Sequence, residues 1–148
     1  MTEAAVRLLA RREHAAKELA DKLRRKGHAP EHIDAALQRL QAQGLQSDER
    51  YAEILTRTRV EAGYGPLRIR QELARAGVAT ELIDAALAPY HDHWSEAVER
   101  VRQRRFPGGP PHDPRERARQ TRFLLYRGFP AELVHAVLSR GGAMIDEW

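Results

Sequence analysis

Residues 23–37 read LRRKGHAPEHIDAAL, residues 73–87 read LARAGVATELIDAAL, and residues 124–138 read LLYRGFPAELVHAVL. Aligned on Gly27, Gly77 and Gly128, they share Leu23, Leu73 and Leu124 before the glycine and Glu31, Glu81 and Glu132 after it. Ile33, Ile83 and Val134 then coincide, as do Leu37, Leu87 and Leu138. The apolar spacing is helical, and glycine is the residue best suited to end a helix in a left-handed conformation. Pro30, Thr80 and Pro130 mark the restart, since a proline ring fits the first helical turn. Helix, glycine turn and helix return at intervals of 50 and 51 residues, which marks a repeat protein.

Working outward, each pair has a leading helix. The first is short, around Ala4 to Arg11. The second starts at the N-cap Ser47 with Asp48 and Glu49 in its first turn and is expected to run to about Ala62, with Tyr51, Ile54, Leu55 and Thr58 on one face. Gly63-Tyr64-Gly65-Pro66 breaks it and starts the next helix. The third carries Trp94, Ala97, Val98 and Val101, and the loop Phe106-Pro107-Gly108-Gly109-Pro110-Pro111 follows before a restart at Asp113-Pro114. Strand-like alternation is missing and good helix formers dominate, so the chain reads as all-α. About nine helices fall into three tandem three-helix repeats, 1–45, 46–90 and 91–140, with 141–148 expected to be a flexible tail. Each triplet buries only a thin apolar seam alone, so the repeats should stack into an elongated, curved, solenoid-like body.

The 148 residues are 42% apolar and 31% charged, and they include no cysteine. That excludes a disulfide scaffold, a thiolate metal site and a thiol nucleophile. No apolar stretch reaches the roughly 20 residues of a membrane span, and Arg7 and Arg11 interrupt the N-terminus, so a soluble intracellular protein is expected. Ser47, Ser95 and Ser139 lie in no nucleophile-elbow pattern, and no phosphate-cradling glycine loop is present. His91-Asp92-His93 lacks a third ligand at useful spacing, and a turn separates His28 from His32. The expectation is a non-enzyme without cofactor or metal.

Binding remains, and the charges bear on it. All 25 basic residues but Lys17, Lys22 and Lys26 are arginine, against 21 acids. Arginine offers a planar donor fork to carboxylates and phosphates. Some are locally neutralised: Glu53, Arg57 and Glu61 form an i,i+4 series, as do Glu13, Lys17 and Asp21. The runs Lys22 to Lys26, Arg68 to Arg75, Arg100 to Arg105 and Arg115 to Arg127 are harder to neutralise. A base-reading helix–turn–helix would need donors at the start of its second helix. Here those starts carry Glu31 and Asp34, Glu81 and Asp84, and Glu132, which repel phosphates. Trp94 is expected as an anchor between repeats rather than a base-stacking platform, and Tyr64 either packs on the neighbouring repeat or serves as an exposed contact.

Ser47-Asp48-Glu49-Arg50-Tyr51-Ala52, then Gly63-Tyr64-Gly65-Pro66-Leu67-Arg68-Ile69 and Glu72-Leu73, resemble the signature of the RecX family of bacterial RecA regulators. Arg11-Arg12-Glu13-His14 with Glu18-Leu19, and Arg127-Gly128-Phe129, resemble its other two blocks. One departure is Ala15, where a helix-capping serine is usual; its loss should weaken that helix by about 1 kcal/mol. The resemblance implies three tandem three-helix repeats and binding to RecA, particularly its filament on single-stranded DNA. It implies reduced ATP hydrolysis, strand exchange and RecA-assisted repressor cleavage, by a cytoplasmic monomer without membrane contact. By position in the matching blocks, Tyr64, Arg68 and Arg70 are the first contact candidates, followed by Arg57, Arg59, Arg24, Arg25 and Lys26. The alternative is a repeat protein that binds DNA directly without sequence preference.

Overall fold

A computed structural model describes residues 2–146, with side chains as far as Ser139. Among the described residues it contains nine α-helices and no strand. They are α1 (Thr2–Arg11), α2 (Ala16–Arg25), α3 (Pro30–Ala42), α4 (Asp48–Glu61), α5 (Pro66–Arg75), α6 (Thr80–Leu87), α7 (Trp94–Arg105), α8 (Pro114–Tyr126) and α9 (Ala131–Asp146). A single 3₁₀ turn, Ala88–Tyr90, follows α6. The backbone of α9 is helical through Asp146, while the side chains of the expected tail 141–148 lie outside the described residues.

The three aligned glycines end α2, α5 and α8 in the same way. Gly27, Gly77 and Gly128 have φ of 95°, 87° and 100°. After each, the next N–H reaches back to the aligned leucine: His28 to the Leu23 carbonyl, Val78 to Leu73, and Phe129 to Leu124. Each glycine N–H bonds the carbonyl three residues earlier. This double closure satisfies carbonyls that a helix end leaves open, and its left-handed residue is glycine because a Cβ would be strained there. The turn brings both helices of each pair together over Leu23 and Ile33, Leu73 and Ile83, and Leu124 and Val134, all buried.

The chain packs as two compact units, Met1–Thr56 with Glu72–Ala86, and Arg57–Gln71 with Leu87–Trp148, so the middle triplet contributes to both. In the first, Ala5, Leu19, Leu23, Ile33 and Leu40 form a core flanked by Leu8, Leu9 and Leu37. Helix α4 presents Ala52 and Thr56 to the interior, both fully buried, rather than the expected Tyr51, Ile54, Leu55 and Thr58 stripe. Tyr51, Ile54 and Leu55 flank the seam half-buried and Thr58 is exposed. Small side chains occupy the centre of the seam, and the bulkier ones cover its sides. In the second unit, α7, α8 and α9 close over Val98, Leu124, Phe129, Val134, Val137 and Leu138. Trp94 is buried there beside Tyr90 and His93, so its ring is packed and unavailable to a base.

Polar side chains connect the first triplet to the start of α4 within the first unit. Ser47 accepts from the Arg50 N–H as the N-cap of α4. Asp48 turns outward from its own helix and accepts the Ala16 N–H at 2.8 Å and the Gln46 side-chain amide at 2.9 Å. It thus gives the first N–H of α2 an acceptor from 32 residues away. Glu18 keeps the other half of the expected box by accepting the Ala15 N–H at 3.3 Å. The start of α2 is therefore tied down by Glu18 and by a tertiary contact, with no side-chain cap from Ala15. Gln46 also donates to the His14 carbonyl at 3.1 Å, and Arg50 pairs with Glu13.

His14 is 1% exposed. Its Nδ1–H donates to the Arg12 carbonyl at 3.0 Å, which leaves Nε2 to accept from Lys22 Nζ at 2.9 Å. That arrangement requires a neutral ring. Burial, followed by the charges of Arg12 and Lys22, lowers its pKa from the ordinary value. Burial pushes the Glu18 carboxyl up, but the hydrogen bond and charge of Arg12 more than reverse it.

Candidate functional site

The loop Gly63-Tyr64-Gly65-Pro66 links α4 to α5 and lies wholly within the second unit. It meets the Arg127-Gly128-Phe129 turn main chain to main chain. The Gly65 N–H donates to the Arg127 carbonyl at 2.7 Å, and the Leu67 N–H to the Gly128 carbonyl at 3.0 Å. A Cβ on Gly65 would lie 2.5 Å from the Gly128 carbonyl carbon and oxygen, and one on Gly128 would lie 2.5 Å from Arg68 Cβ. Only glycine on both sides permits this approach. The contact sets Tyr64 and Arg68 opposite Tyr126 and Arg127.

From it grows a column of alternating rings and guanidinium groups. Arg68 lies 5.1 Å from the Tyr126 ring centre and 4.4 Å from that of Tyr64. Arg127 lies 4.7 Å from Tyr64 and 5.2 Å from Phe123. Arg105 lies 5.4 Å from Phe123 and 5.1 Å from Phe106, and Arg119 lies 5.1 Å from Phe106. The order is therefore Tyr126, Arg68, Tyr64, Arg127, Phe123, Arg105, Phe106, Arg119. Phe106 and Phe123 also meet edge to face at 5.5 Å. Cations at these distances are attracted by ring quadrupoles, with about 0.5–1 kcal/mol for each exposed contact.

The column differs from an ion-pair network in what it leaves over. Arg119 pairs with Glu116 at 3.1 Å. Arg68, Arg105 and Arg127 have no carboxylate in ion-pair distance among the described residues. Arg68 instead donates to the Tyr126 carbonyl at 3.4 Å and Arg127 to the Ala62 carbonyl at 3.0 Å. Their charge is thus held in place without being cancelled. A guanidinium on a ring uses its flat face, and the edge N–H groups remain for a bidentate acceptor.

Beside the column lies a cleft of about 260 Å³. Val60, Ala97 and Val101 supply apolar wall, and Arg100, Arg104, Arg105 and Arg127 bring charge to it. Arg102, one of the run preceding the loop, does not join them. It is 4% exposed and turned inward, where it binds Glu99 at 2.8 Å.

Of the sequence candidates, Tyr64 and Arg68 stand in the column. Arg57, Arg59 and Arg70 lie in the same unit but outside it; Arg57 is exposed and the other two are half-buried. Arg57 makes no ion pair to Glu53 or Glu61 among the described residues, so the expected charge ladder along α4 is not formed. Arg24, Arg25 and Lys26 are exposed on the first unit, where Arg24 pairs with Asp21 at 2.9 Å and Arg25 donates to the Asp21 carbonyl. Sequence reasoning left out Arg105, Arg119, Arg127, Phe106, Phe123 and Tyr126 as site residues. The signal for part of this set is the i,i+4 spacing of Arg119, Phe123 and Arg127, which places all three on one stripe of α8 and its C-cap.

Family models for the first, second and third three-helix domains of RecX match residues 2–40, 47–87 and 95–138. The chain belongs to the RecX family. It is 49% identical over 144 residues, 97% of its length and 91% of the relative's, to Regulatory protein RecX of Pseudomonas putida KT2440. It is 48% identical over 134 residues, 90% of its length and 83% of the relative's, to Regulatory protein RecX of Halorhodospira halophila. The crystal structure of RecX from Lactobacillus salivarius shares the fold with a TM-score of 0.78 at 23% identity, over 94% of this chain and 92% of that one. The stretches that carry the RecX resemblance are the ones in mutual contact. Glu13 pairs with Arg50 and the His14 carbonyl accepts from Gln46, and the Gly63–Pro66 loop meets Arg127-Gly128.

Proposed function

We propose that this RecX-family regulatory protein binds RecA and its filament on single-stranded DNA in the cytoplasm. It restrains the filament, lowering ATP hydrolysis, strand exchange and RecA-assisted repressor cleavage, without an enzymatic activity of its own. The observation that carries this reading is the set Arg68, Arg105 and Arg127, held by aromatic rings and matched by no carboxylate. Prearranged, uncompensated donors favour an acidic macromolecular partner, because side-chain order costs little at the moment of binding. Arg68 and Tyr64 are the principal contact candidates, with Arg70, Arg57 and Arg59 on the same unit. Arg24, Arg25 and Lys26 form a second exposed basic group.

The competing reading is direct, sequence-independent DNA binding, and a titration separates the two. RecA is assembled on single-stranded DNA and its ATP hydrolysis is followed as the protein is added. Inhibition well below one molecule per RecA supports filament binding; inhibition only when the protein coats the DNA supports competition for the lattice. The double variant R68E/R70E should weaken inhibition while helix content by circular dichroism stays unchanged. Full inhibition by the folded variant would reject this placement of the contact.

A further inference from the structure

We infer that the cleft beside the arginine–ring column receives one apolar side chain of an acidic peptide segment, whose flanking carboxylates are taken by Arg100, Arg104 and Arg127. The inference rests on reading this face as the one that meets a partner, and it names the partner's local chemistry. Three observations lead to it.

First, the cleft is both apolar and cationic. Val60, Ala97 and Val101 line it, and Arg100 and Arg104, one turn apart on α7, stand at its edge with Arg127. Glu61 is the acid among the lining residues, and Arg100 has only a 3.9 Å contact with the largely exposed Glu96. Arg104 has no ion-pair or hydrogen-bond partner among the described residues. A ligand that satisfies the site therefore needs negative charge and something apolar to bury.

Second, the volume suits a side chain. About 260 Å³ admits a leucine-sized or phenylalanine-sized group with its adjoining backbone. Third, the rings in or beside the cleft are already covered, while Tyr126, 72% exposed and engaged by Arg68, ends the column outside the cleft lining. Tyr64 is engaged by Arg68 and Arg127, Phe123 by Arg127 and Arg105, and Phe106 by Arg105 and Arg119. Single strands are gripped by stacking successive bases on open aromatic faces. Here the rings orient guanidinium groups instead, and a phosphodiester chain brings no aliphatic group for Val60, Ala97 and Val101. Charge complementarity and the apolar wall together favour a carboxylate-rich protein segment.

The test uses the full chain and a fluorescein-labelled 12-residue peptide of alternating Asp and Glu with one central Leu. Anisotropy is measured at low and moderate salt, beside the same peptide with Leu replaced by Asn and a 12-nucleotide oligo-dT. The Leu peptide should bind roughly tenfold or more tightly than the Asn peptide, the ratio expected when a leucine is buried. R100E/R104E, both exposed positions, should lose at least tenfold in affinity with its thermal midpoint unchanged. Ala97→Phe, which fills the apolar part, should erase the Leu preference while retaining weak charge-driven binding. Equal affinity for the Leu and Asn peptides, tighter binding of oligo-dT, or no effect of R100E/R104E would each overturn the inference. RecA ATPase inhibition is scored separately. Inhibition without peptide binding defeats the cleft assignment alone, whereas Leu-dependent binding without inhibition supports the cleft and defeats the RecA reading.

Discussion

The contact between α2 and α4 in the first unit and that between the Gly63–Pro66 loop and the Arg127–Phe129 turn in the second solve one problem differently. Both hold residues of one triplet against the next. The first uses side chains: Asp48, Gln46 and His14 exchange hydrogen bonds, and Glu13 pairs with Arg50. The second uses main chains that touch through Gly65 and Gly128, with rings and guanidinium groups stacked outside them. At the first contact the guanidinium groups are matched by carboxylates, Arg12 by Glu18 and Arg50 by Glu13. In the second, Arg68, Arg105 and Arg127 are held by neutral groups and keep their charge for a partner. Supporting a cation with a ring instead of a carboxylate is what lets one residue be both structural and available.

The largest effect should come from the close approach. Gly65→Ala forces a Cβ against Gly128 main chain that cannot move aside, and should cost about 3 kcal/mol in urea unfolding. Gly27→Ala meets nothing within 4 Å and carries only left-handed strain, so about 1 kcal/mol is expected. Equal losses would remove the distinction between a glycine needed for its turn and one needed for its neighbour.

Next comes Asp48→Ala, which strips acceptors from the Ala16 N–H and the Gln46 amide and should cost about 2 kcal/mol. Asp48→Asn keeps an acceptor oxygen and should lose less. If Asn and Ala were equivalent by urea titration, the carboxylate charge rather than its acceptor role would hold that contact.

A smaller, pH-dependent effect separates the units. The folded pKa of His14 is lowered, so the unfolded chain binds its proton more readily. The stability this contributes is complete above about pH 6.5 and falls as the pH drops through the folded value. Amide protection factors in α2, taken relative to the intrinsic exchange rate at each pH, should fall on acidification, and His14→Gln should flatten that dependence. The column in the second unit contains no histidine, so protection in α8 near Phe123 should respond less. An identical loss of protection in both would sink the assignment to His14.

At the lower end, Tyr64→Leu should cost about 1 kcal/mol by removing a ring between two guanidinium groups, whereas Tyr64→Phe should be nearly silent. Arg24→Ala on the exposed Asp21 pair should leave the thermal midpoint unchanged.

Local signals were legible because they act over one or two turns. The leucine–glycine–glutamate register located three helix pairs, and Ser47 marked the start of α4, where its hydroxyl accepts the Arg50 N–H. The burial of α4 was misread because the stripe Tyr51, Ile54, Leu55 and Thr58 looks more apolar than Ala52 and Thr56, while the seam takes the small residues. The site was legible in part. Tyr64 and Arg68 stood out beside a glycine turn, but Arg105 met Phe123, and Arg119 met Phe106, only after α7 and α8 closed around the loop between them. Arg102 shows the converse, a member of a basic run that folding buried.

The amino-acid order by itself determined three helix–glycine–helix units and the family to which they belong, because periodicity, capping and left-handed turns are properties of neighbouring residues. Tertiary structure alone decided that Asp48 caps a helix 32 residues away and that Arg68 shares a ring with Arg127. Whether a charge is cancelled, buried or left for a partner depends on what distant segments bring within a few ångströms, and separation along the chain carries no record of that distance.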